Sequence, residues 1–294
     1  MKKSAVFKGY CLVIVSAFLF GCMPLITKNI YAEGVNSLSV VFLRNVLSIP
    51  VLGALTLWKD RTLRIPTKAL LPIVAIGLTG CCITPFLLFT SYNFLASGTA
   101  TVLHFIYPSV VVLASIFFLK KKPHIGSIIS VVICAVGIGL FYDPSTPLDP
   151  FGALLALVSG ITYAAYVVLL SACNLHGVKG FRLAFYLSVI CSVAILPVFL
   201  ISGGITFPTS IVGWLLCLLL AVIINVGAVI LFQQGTLLIG GERAAILSTV
   251  EPITGVFIGA VAFHEIIGVR SAIGSALVIA ASILIAVSDM KDKK

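Results

Sequence analysis

Residues 241–256 read GERAAILSTVEPITGV, and residues 97–112 read SGTATVLHFIYPSVVV. The two stretches align without a gap at an offset of 144 residues, so that Pro252 falls on Pro108. Glu251 is unusual because it stands beside a proline in a segment that is otherwise apolar or small. A helix-breaking proline at the same place in two such stretches predicts an internal repeat. The surrounding sequence then decides the solvent in which that repeat folds.

The whole chain is strongly apolar. Of its 294 residues, 60% are hydrophobic and only 10% are charged, whereas soluble domains carry about 25% charged residues. The apolar residues form blocks of about 17–28 residues, which is long enough to cross a hydrocarbon core of roughly 30 Å. A soluble helical protein would instead show polar faces at a 3.6-residue period. These features predict a membrane protein that crosses the bilayer many times.

The apolar blocks predict an all-α membrane protein with ten transmembrane helices. The predicted spans are 7–31, 36–58, 69–95, 99–119, 124–142, 150–172, 181–202, 211–239, 243–263 and 270–288. Together with the repeat, they divide the chain into two five-helix units, residues 7–142 and 150–288. Because five is an odd number, the second unit enters the membrane in the opposite orientation. Inverted-topology repeats of this kind bind solutes near the membrane midplane, between the two units.

The net charge of +10 is explained by topology, and we expect no nucleic-acid partner. If the N-terminus is cytoplasmic, sixteen of the 19 lysines and arginines fall on that side, and only Lys28, Arg44 and Arg270 fall outside. This positive-inside bias predicts a protein of the cytoplasmic (inner) membrane with both termini in the cytoplasm. The eight cysteines show no CxxC spacing and no neighbouring histidines, so we expect no metal, cofactor or disulfide framework.

Glu251 is predicted to lie deep in the membrane. If Arg243 marks the inner end of its span, Glu251 lies eight residues further, about 12 Å into the core. An acidic side chain at the centre of a membrane helix costs about 2.5–3.5 kcal/mol, so we expect it to face the bundle interior or a water-filled cavity. Two interpretations remain open. Glu251 either binds a cationic group of a solute or carries a proton, or it is a structural carboxylate that fixes helix packing.

The first half has Tyr107 at the position equivalent to Glu251, with Pro108 after it and His104 one turn before the proline. The same depth argument brings Tyr107 and Glu251 near each other at the midplane. His104 either titrates near neutral pH or stays neutral and bonded to a neighbouring helix.

Other polar residues in the predicted spans extend the candidate site. The candidate solute-binding or proton-coupling residues are Glu251, His104, Tyr107, Asn225, Gln233, Asn93, Tyr163 and Tyr166. Individually, each is more often a contact between helices than a ligand. Together, amides and aromatic rings suit an amphipathic organic solute better than a bare ion. The prolines predicted to kink helices, and so to permit gating, are Pro24, Pro85, Pro108, Pro197 and Pro252.

The sequence resembles EamA-type members of the drug/metabolite transporter superfamily, which have two five-helix units. The resemblance is carried by LFGCMPLITK (19–28), FLRN (42–45) and the segment 240–287, which holds an arginine-led helix, the Glu-Pro pair, and Glu265 with Gly274 nine residues later. It covers essentially the whole chain. The first half departs from the pattern, because LKKKPHIG (119–126) lacks the acidic residue and is four residues shorter than its counterpart.

The resemblance implies a secondary active or facilitative transporter that works by alternating access. The expected solute is a small organic metabolite, an amino acid or a related compound, and the expected direction is export. No Walker A loop occurs, so ATP is not the expected energy source, and proton coupling is left open. The partners are then the solute, the lipid bilayer and, in the coupled case, protons.

Two alternatives were weighed against this interpretation. A lipid-linked or nucleotide-sugar carrier (flippase) of the same superfamily would share the fold. An intramembrane enzyme is disfavoured, because the four histidines are scattered over different loops and spans and no nucleophile stands beside a base.

Overall fold

The computed structural model describes residues 3–118, 125–140, 148–248, 250–264 and 268–291. Within these residues the chain forms fifteen α-helices and two π-helical segments, and no strand occurs among them. Two features of the sequence comparison, most of the LKKKPHIG turn and Glu265, lie outside the described residues.

The first half of the chain contains eight α-helices and one π-helical segment in its described part. They are α1 (Lys3–Gly21), α2 (Met23–Ala32), α3 (Ser37–Asp60), α4 (Thr67–Gly77), π1 (Leu78–Ile83), α5 (Thr84–Ser91), α6 (Ser97–His104), α7 (Tyr107–Phe117) and α8 (Ile125–Gly139). α3 begins where it does because the Asn36 side chain accepts the backbone N–H of Ser39 at 2.8 Å and so caps the helix.

The second half contains seven α-helices and the other π-helical segment. They are α9 (Pro150–Ala172), α10 (Phe181–Ser202), α11 (Ile211–Leu220), π2 (Ala221–Ala228), α12 (Val229–Ile239), α13 (Gly241–Leu247), α14 (Val250–Phe263) and α15 (Val269–Lys291). α9 starts at a proline preceded by a cap, because Asp149 accepts the N–H of Gly152 at 2.7 Å.

Eight stretches of described residues are helical, long and apolar enough to cross a membrane. They are Val6–Ala32, Ser37–Asp60, Thr67–Ser91, Ser97–Phe117, Pro150–Ala172, Phe181–Ile201, Ile211–Ile239 and Gly241–Ala262. α8 and α15, which pack against each other, contain the shorter apolar stretches Ile128–Gly137 and Ala272–Ala281. The all-helical membrane fold is therefore confirmed, while the count of ten spans stays a prediction.

Several helices are interrupted at matching positions in the two halves. π1 begins at Leu78 and π2 begins at Ala221, which is 143 residues later. α6 ends at His104 and α13 ends at Leu247, again 143 residues apart. Short π-helical insertions are rare and are frequently found at functional sites. The alignment of the two halves at an offset of 144 residues includes the α6–α7 and α13–α14 stretches. The paired π-helical segments, in contrast, have no recognisable pattern in the sequence.

The prolines that were predicted to kink helices differ in their surroundings. Pro24, Pro85, Pro108 and Pro252 each lie within the first three residues of a helix that follows an interruption, where a missing N–H breaks no further helical bond. α10, in contrast, runs through Pro197 without an interruption in its assignment.

The two halves share one interior. α1 packs against α12 and α14, α3 packs against α10, and α9 packs against α5, α6 and α7, so each of these contacts joins the first half to the second. The largest fully buried side chains of this interior include Tyr107, Phe89, Phe105 and Phe232. A candidate site between the halves is thus built from both of them.

Candidate functional site

A narrow cavity of about 40 Å³ lies in this shared interior. Its lining residues are Phe20, Met23, Arg44, Gly80, Cys81, Thr84, Pro85, Leu88, His104, Tyr163, Tyr166, Val229 and Glu251. They come from both halves of the chain, and most of them are buried. A single water needs about 10–15 Å³ of such volume, so the cavity has room for a few water molecules.

Glu251 faces this cavity because of the break between α13 and α14. Pro252 has no N–H to donate to the carbonyl of Ser248, and the backbone N–H of Glu251 takes that carbonyl instead, at 2.9 Å. The chain therefore tightens by one residue just before the proline. The Glu251 side chain is only 5% exposed, and none of the described residues donates a hydrogen bond to its carboxyl group.

Arg44 lines the same cavity, and this corrects its assignment to the outer aqueous side. It lies on α3, seven residues after Ser37, which is about 10 Å along the helix. Its side chain is only 3% exposed. The sequence already indicates this position, because Arg44 lies in an apolar run like the one around Glu251. The prediction from the sequence treats Arg44 only as a charge that sets topology.

The Arg44 guanidinium group has few polar partners. Nη1 lies 3.6 Å from the sulfur of Met23, and the group stands over the ring of Phe89 at 5.5 Å from its centroid. Nε is buried with no hydrogen-bond partner in the part of the chain that the structure describes. Leaving a buried ion without a counter-ion costs several kcal/mol. This arrangement therefore indicates that the charge of Arg44 is balanced by a group that is not among its described partners.

Arg44 and Glu251 do not neutralise each other. No ion pair joins them among the described residues, in contrast to Arg182 and Asp60, whose Nε and Oδ2 atoms are 3.5 Å apart. Tyr163 lines the same cavity as Arg44 and Glu251. The cavity therefore presents one cationic and one acidic side chain beside a phenol ring.

His104 is held by a neighbouring helix. Its Nδ1 lies 2.8 Å from the hydroxyl of Ser159 on α9, and that hydroxyl donates its own proton to the carbonyl of Ala156 at 2.6 Å. Ser159 must therefore accept from His104, which assigns the ring proton to Nδ1 and leaves Nε2 as an acceptor. The bond to Ser159 is the contact with a neighbouring helix that the second interpretation of His104 expects, and the burial of the ring, which is 3% exposed, opposes a charged imidazole.

Aromatic rings form one wall of the cavity. The rings of Tyr163 and Tyr107 are 4.7 Å apart and nearly perpendicular, and Tyr166 lies 5.3 Å from Tyr163. Tyr107 itself does not line the cavity; its hydroxyl donates to the carbonyl of Ala245 at 3.4 Å. α6 packs against α14 and α7 packs against α13, so the two equivalent breaks are neighbours.

Asn225 supports Arg44 rather than facing the cavity. Its Nδ2 donates to the backbone carbonyl of Arg44 at 3.1 Å and to Oδ1 of Asn45 at 3.0 Å. Because Asn225 lies in π2, the π-helical segment of the second half braces the arginine of the first half.

The remaining candidates lie away from the cavity. Asn93 is exposed in the turn after α5, because that helix already ends at Ser91. Gln233 is fully buried on α12, one turn beyond the cavity residue Val229, and its amide has no hydrogen-bond partner among the described residues. Residue type alone does not tell which of these side chains faces the cavity, since that depends on how each helix is rotated.

Comparisons with known proteins agree with the fold. The profile of the EamA-like transporter family matches residues 7–142 and 150–287, so this domain is present twice. The chain is 27% identical over 277 residues to an uncharacterized transporter of Archaeoglobus fulgidus, covering 92% of this chain and 94% of that protein. It is 25% identical over 203 residues to the uncharacterized inner membrane transporter YhbE of Escherichia coli K12, covering 64% and 61%.

A solved crystal structure shares the fold at a TM-score of 0.68 and 18% identity, covering 98% of this chain and 99% of that chain. The two family matches, the apolar spans and the transporter relatives all point to a transporter and not to an enzyme. The chain belongs to the EamA-like transporter family and is a multi-pass membrane protein.

Proposed function

We propose that the chain carries a small organic solute across the cytoplasmic membrane by alternating access. The observation that supports this most directly is the interior cavity between the halves, where Arg44, His104 and Glu251 meet a wall of tyrosines. Buried ionisable groups in a membrane bundle are costly, and they typically mark a solute or ion pathway.

The cavity must enlarge for transport to occur. Pockets that hold drug-sized ligands have volumes of about 300–1,000 Å³, far above the about 40 Å³ of this cavity. Beyond the cavity, Thr27 on α2 and Gln233 and Thr236 on α12 bury polar atoms that have no partner among the described residues. Water or solute reaching these atoms in an opened state would satisfy them, which is consistent with a path on either side of the cavity.

The hinges for this motion are proposed at the paired interruptions. π1 with π2, and the α6–α7 break with the α13–α14 break, lie beside the cavity. We propose that two inverted five-helix repeats, residues 7–142 and 150–288 within ten spans, rock about these points, with both termini in the cytoplasm. Pro85, Pro108 and Pro252 lie at these points and Pro24 lies at the break between α1 and α2, and none of them has an N–H that could bond back across the interruption.

The solute is proposed to be an amino acid or a related compound, and the direction to be export. One cationic group, one carboxyl group and several aromatic rings around one cavity suit a small amphipathic molecule. Glu251 is the proposed proton carrier in the coupled mode, because its carboxyl group has no fixed partner among the described residues. No observation favours a lipid-linked or nucleotide-sugar solute over this class.

The test is solute exchange by the purified full-length chain in liposomes. A mixture of amino acids, amines, organic acids and nucleotide sugars is loaded inside, and exchange with labelled external solute is measured with and without an imposed pH gradient. We expect faster exchange of at least one amino acid than in protein-free vesicles, and a rate that changes with the gradient. Equal rates with and without protein for every solute would contradict the proposed function.

A further inference from the structure

Arg44 is the group in the cavity whose charge is least accounted for. Cys81 and Tyr163, which line the same cavity, are a thiol and a phenol that are ordinarily neutral at pH 7. Its Nε is buried and unpartnered within the described part of the chain, and its other polar contact is a thioether sulfur.

The surroundings of Arg44 hold the guanidinium group in place without neutralising it. Asn225 fixes the backbone at Arg44 through the carbonyl, and the face of Phe89 covers the group from one side. An arginine fixed in this way presents a planar fork of N–H donors, which matches the two oxygens of a carboxylate. Pre-organising the fork also reduces the entropy that binding must remove.

We propose that Arg44 binds the carboxylate of the transported solute, so that the site selects small zwitterions with a carboxylate at one end and an ammonium group at the other. Glu251 faces the same cavity and is the natural partner for the ammonium group. This inference rests on the proposed transport function and adds the determinant of specificity.

The composition of the cavity favours a carboxylate over a phosphate. Arg44 is the only lysine or arginine among the described residues that line the cavity, and Glu251 would repel a dianion. A zwitterion, in contrast, brings one charge of each sign to a site that offers one charge of each sign. The narrow cavity also favours the smaller group.

The experiment uses two matched sets of three solutes in the same proteoliposomes. One set is L-leucine, 3-methylbutylamine (which lacks the carboxylate) and 4-methylpentanoate (which lacks the ammonium group). The other set is L-phenylalanine, 2-phenylethylamine and 3-phenylpropanoate. Exchange is measured for the wild type, Arg44→Gln, Arg44→Lys and the control Arg64→Gln, which removes an exposed arginine outside the cavity.

We expect the wild type and Arg64→Gln to exchange the amino acid at least about tenfold faster than its amine, because a charged hydrogen-bond pair is lost with the carboxylate. Arg44→Gln should lower this ratio toward one, and Arg44→Lys should restore part of it. The ratio is taken within one vesicle preparation, so it does not depend on how much of a variant folds.

Three outcomes would overturn the inference. One is a wild-type ratio near one, and another is an unchanged ratio in Arg44→Gln; in both cases exchange still occurs and the transport function stands. The third is that the wild type exchanges none of the six solutes. In that case the broader solute mixture decides separately whether the chain is a transporter.

Discussion

The α6–α7 break and the α13–α14 break occupy equivalent positions. At each break the proline has no N–H, so one backbone carbonyl loses its helical hydrogen bond, and these two carbonyls have different surroundings. In the second half, the carbonyl that Pro252 cannot bond is taken by the backbone N–H of Glu251, within the same chain segment. In the first half, the corresponding carbonyl belongs to His104, and it lies against Gly160 on α9. The second break is therefore closed within its own segment, while the carbonyl at the first break lies close to the backbone of a neighbouring helix.

The side chains at the two breaks also differ in whether they have hydrogen-bond partners. His104 and Tyr107 both have hydrogen-bond partners, the hydroxyl of Ser159 and the carbonyl of Ala245. Glu251, the counterpart of Tyr107, faces the cavity with none among the described residues. Under the proposed function, the first break is a structural anchor and the second break is a chemical site. Changes at the second break should impair transport, and changes at the first should impair stability.

The largest effect is expected for Glu251→Gln, which keeps the shape and removes the charge. Removing a charged hydrogen bond to the solute costs about 1.5–3 kcal/mol, so the exchange rate should fall at least about tenfold. If Glu251 also carries the proton, the remaining exchange should no longer respond to a pH gradient. Both are measured in proteoliposomes that contain equal amounts of folded protein.

The matched control is Glu33→Gln, which removes a carboxylate that accepts from Thr209 outside the cavity. It should exchange solute at the wild-type rate. A Glu251→Gln protein that transports normally and still follows the pH gradient would show that this carboxylate is structural, as the second sequence interpretation held.

The next largest effect is expected at Gly160, where α9 approaches the break between α6 and α7. A Cβ atom added at Gly160 would collide with the His104 carbonyl, which is backbone and cannot rotate away. We therefore expect Gly160→Ala to push α9 from α6 and to lower the free energy of unfolding by about 1–3 kcal/mol. The thermal unfolding midpoint of the detergent-solubilised protein measures this change.

The controls for the change in unfolding midpoint are Gly139→Ala and Gly255→Ala. No atom of the described residues lies within 4 Å of a Cβ added at Gly139, and at Gly255 the nearest such atom is a Thr101 methyl carbon at 3.4 Å, an ordinary contact. Both variants should melt at or above the wild-type temperature, since alanine favours helix over glycine. If all three variants melted alike, the close approach of α6 and α9 would not be the stabilising feature.

The comparison also shows how far sequence reasoning reaches. Hydropathy and the shared proline predicted the apolar spans and both helix breaks, because these depend on local composition and on the missing N–H of proline. Helix rotation was not predictable, because residues in these spans are apolar on nearly every side. Asn93 and Gln233, which do not line the cavity, were therefore named as candidates, and Arg44, which lines it, was not.

The missed arginine has a specific physical cause. Lysines and arginines near span ends set topology, so Arg44 was read as part of that bias. The depth calculation that was applied to Glu251 also applies to Arg44 on α3. It would have shown that Arg44 lies inside the span and not in a loop. The paired π-helical segments had no such signal, since an i to i+5 hydrogen bond arises from packing rather than from a recognisable residue pattern.

The smallest effect is expected at His104, where the anchor interpretation predicts that a proton switch is absent. Asparagine can place an amide N–H where Nδ1 of the ring stands, so His104→Asn should keep the bond to Ser159. We expect the exchange rate to change by less than about fivefold, which corresponds to about 1 kcal/mol or one neutral hydrogen bond. The rate is measured from pH 5.5 to 8.5, a window of about one unit below and two above the ordinary imidazole pKa.

The pH profile separates the two interpretations of His104 more sharply than the rate does. A histidine that must be protonated for transport would make the wild-type rate fall as the pH rises through the imidazole range, and the variant would lose that fall. A buried histidine that stays neutral contributes no such step, so both profiles should have the same shape. Ser159→Ala, which removes the acceptor from the same pair, should destabilise the protein by about 1 kcal/mol and leave the profile equally unchanged. A flattened profile in His104→Asn would mean that the first break also contains a chemical site, and the division between the two breaks would fail.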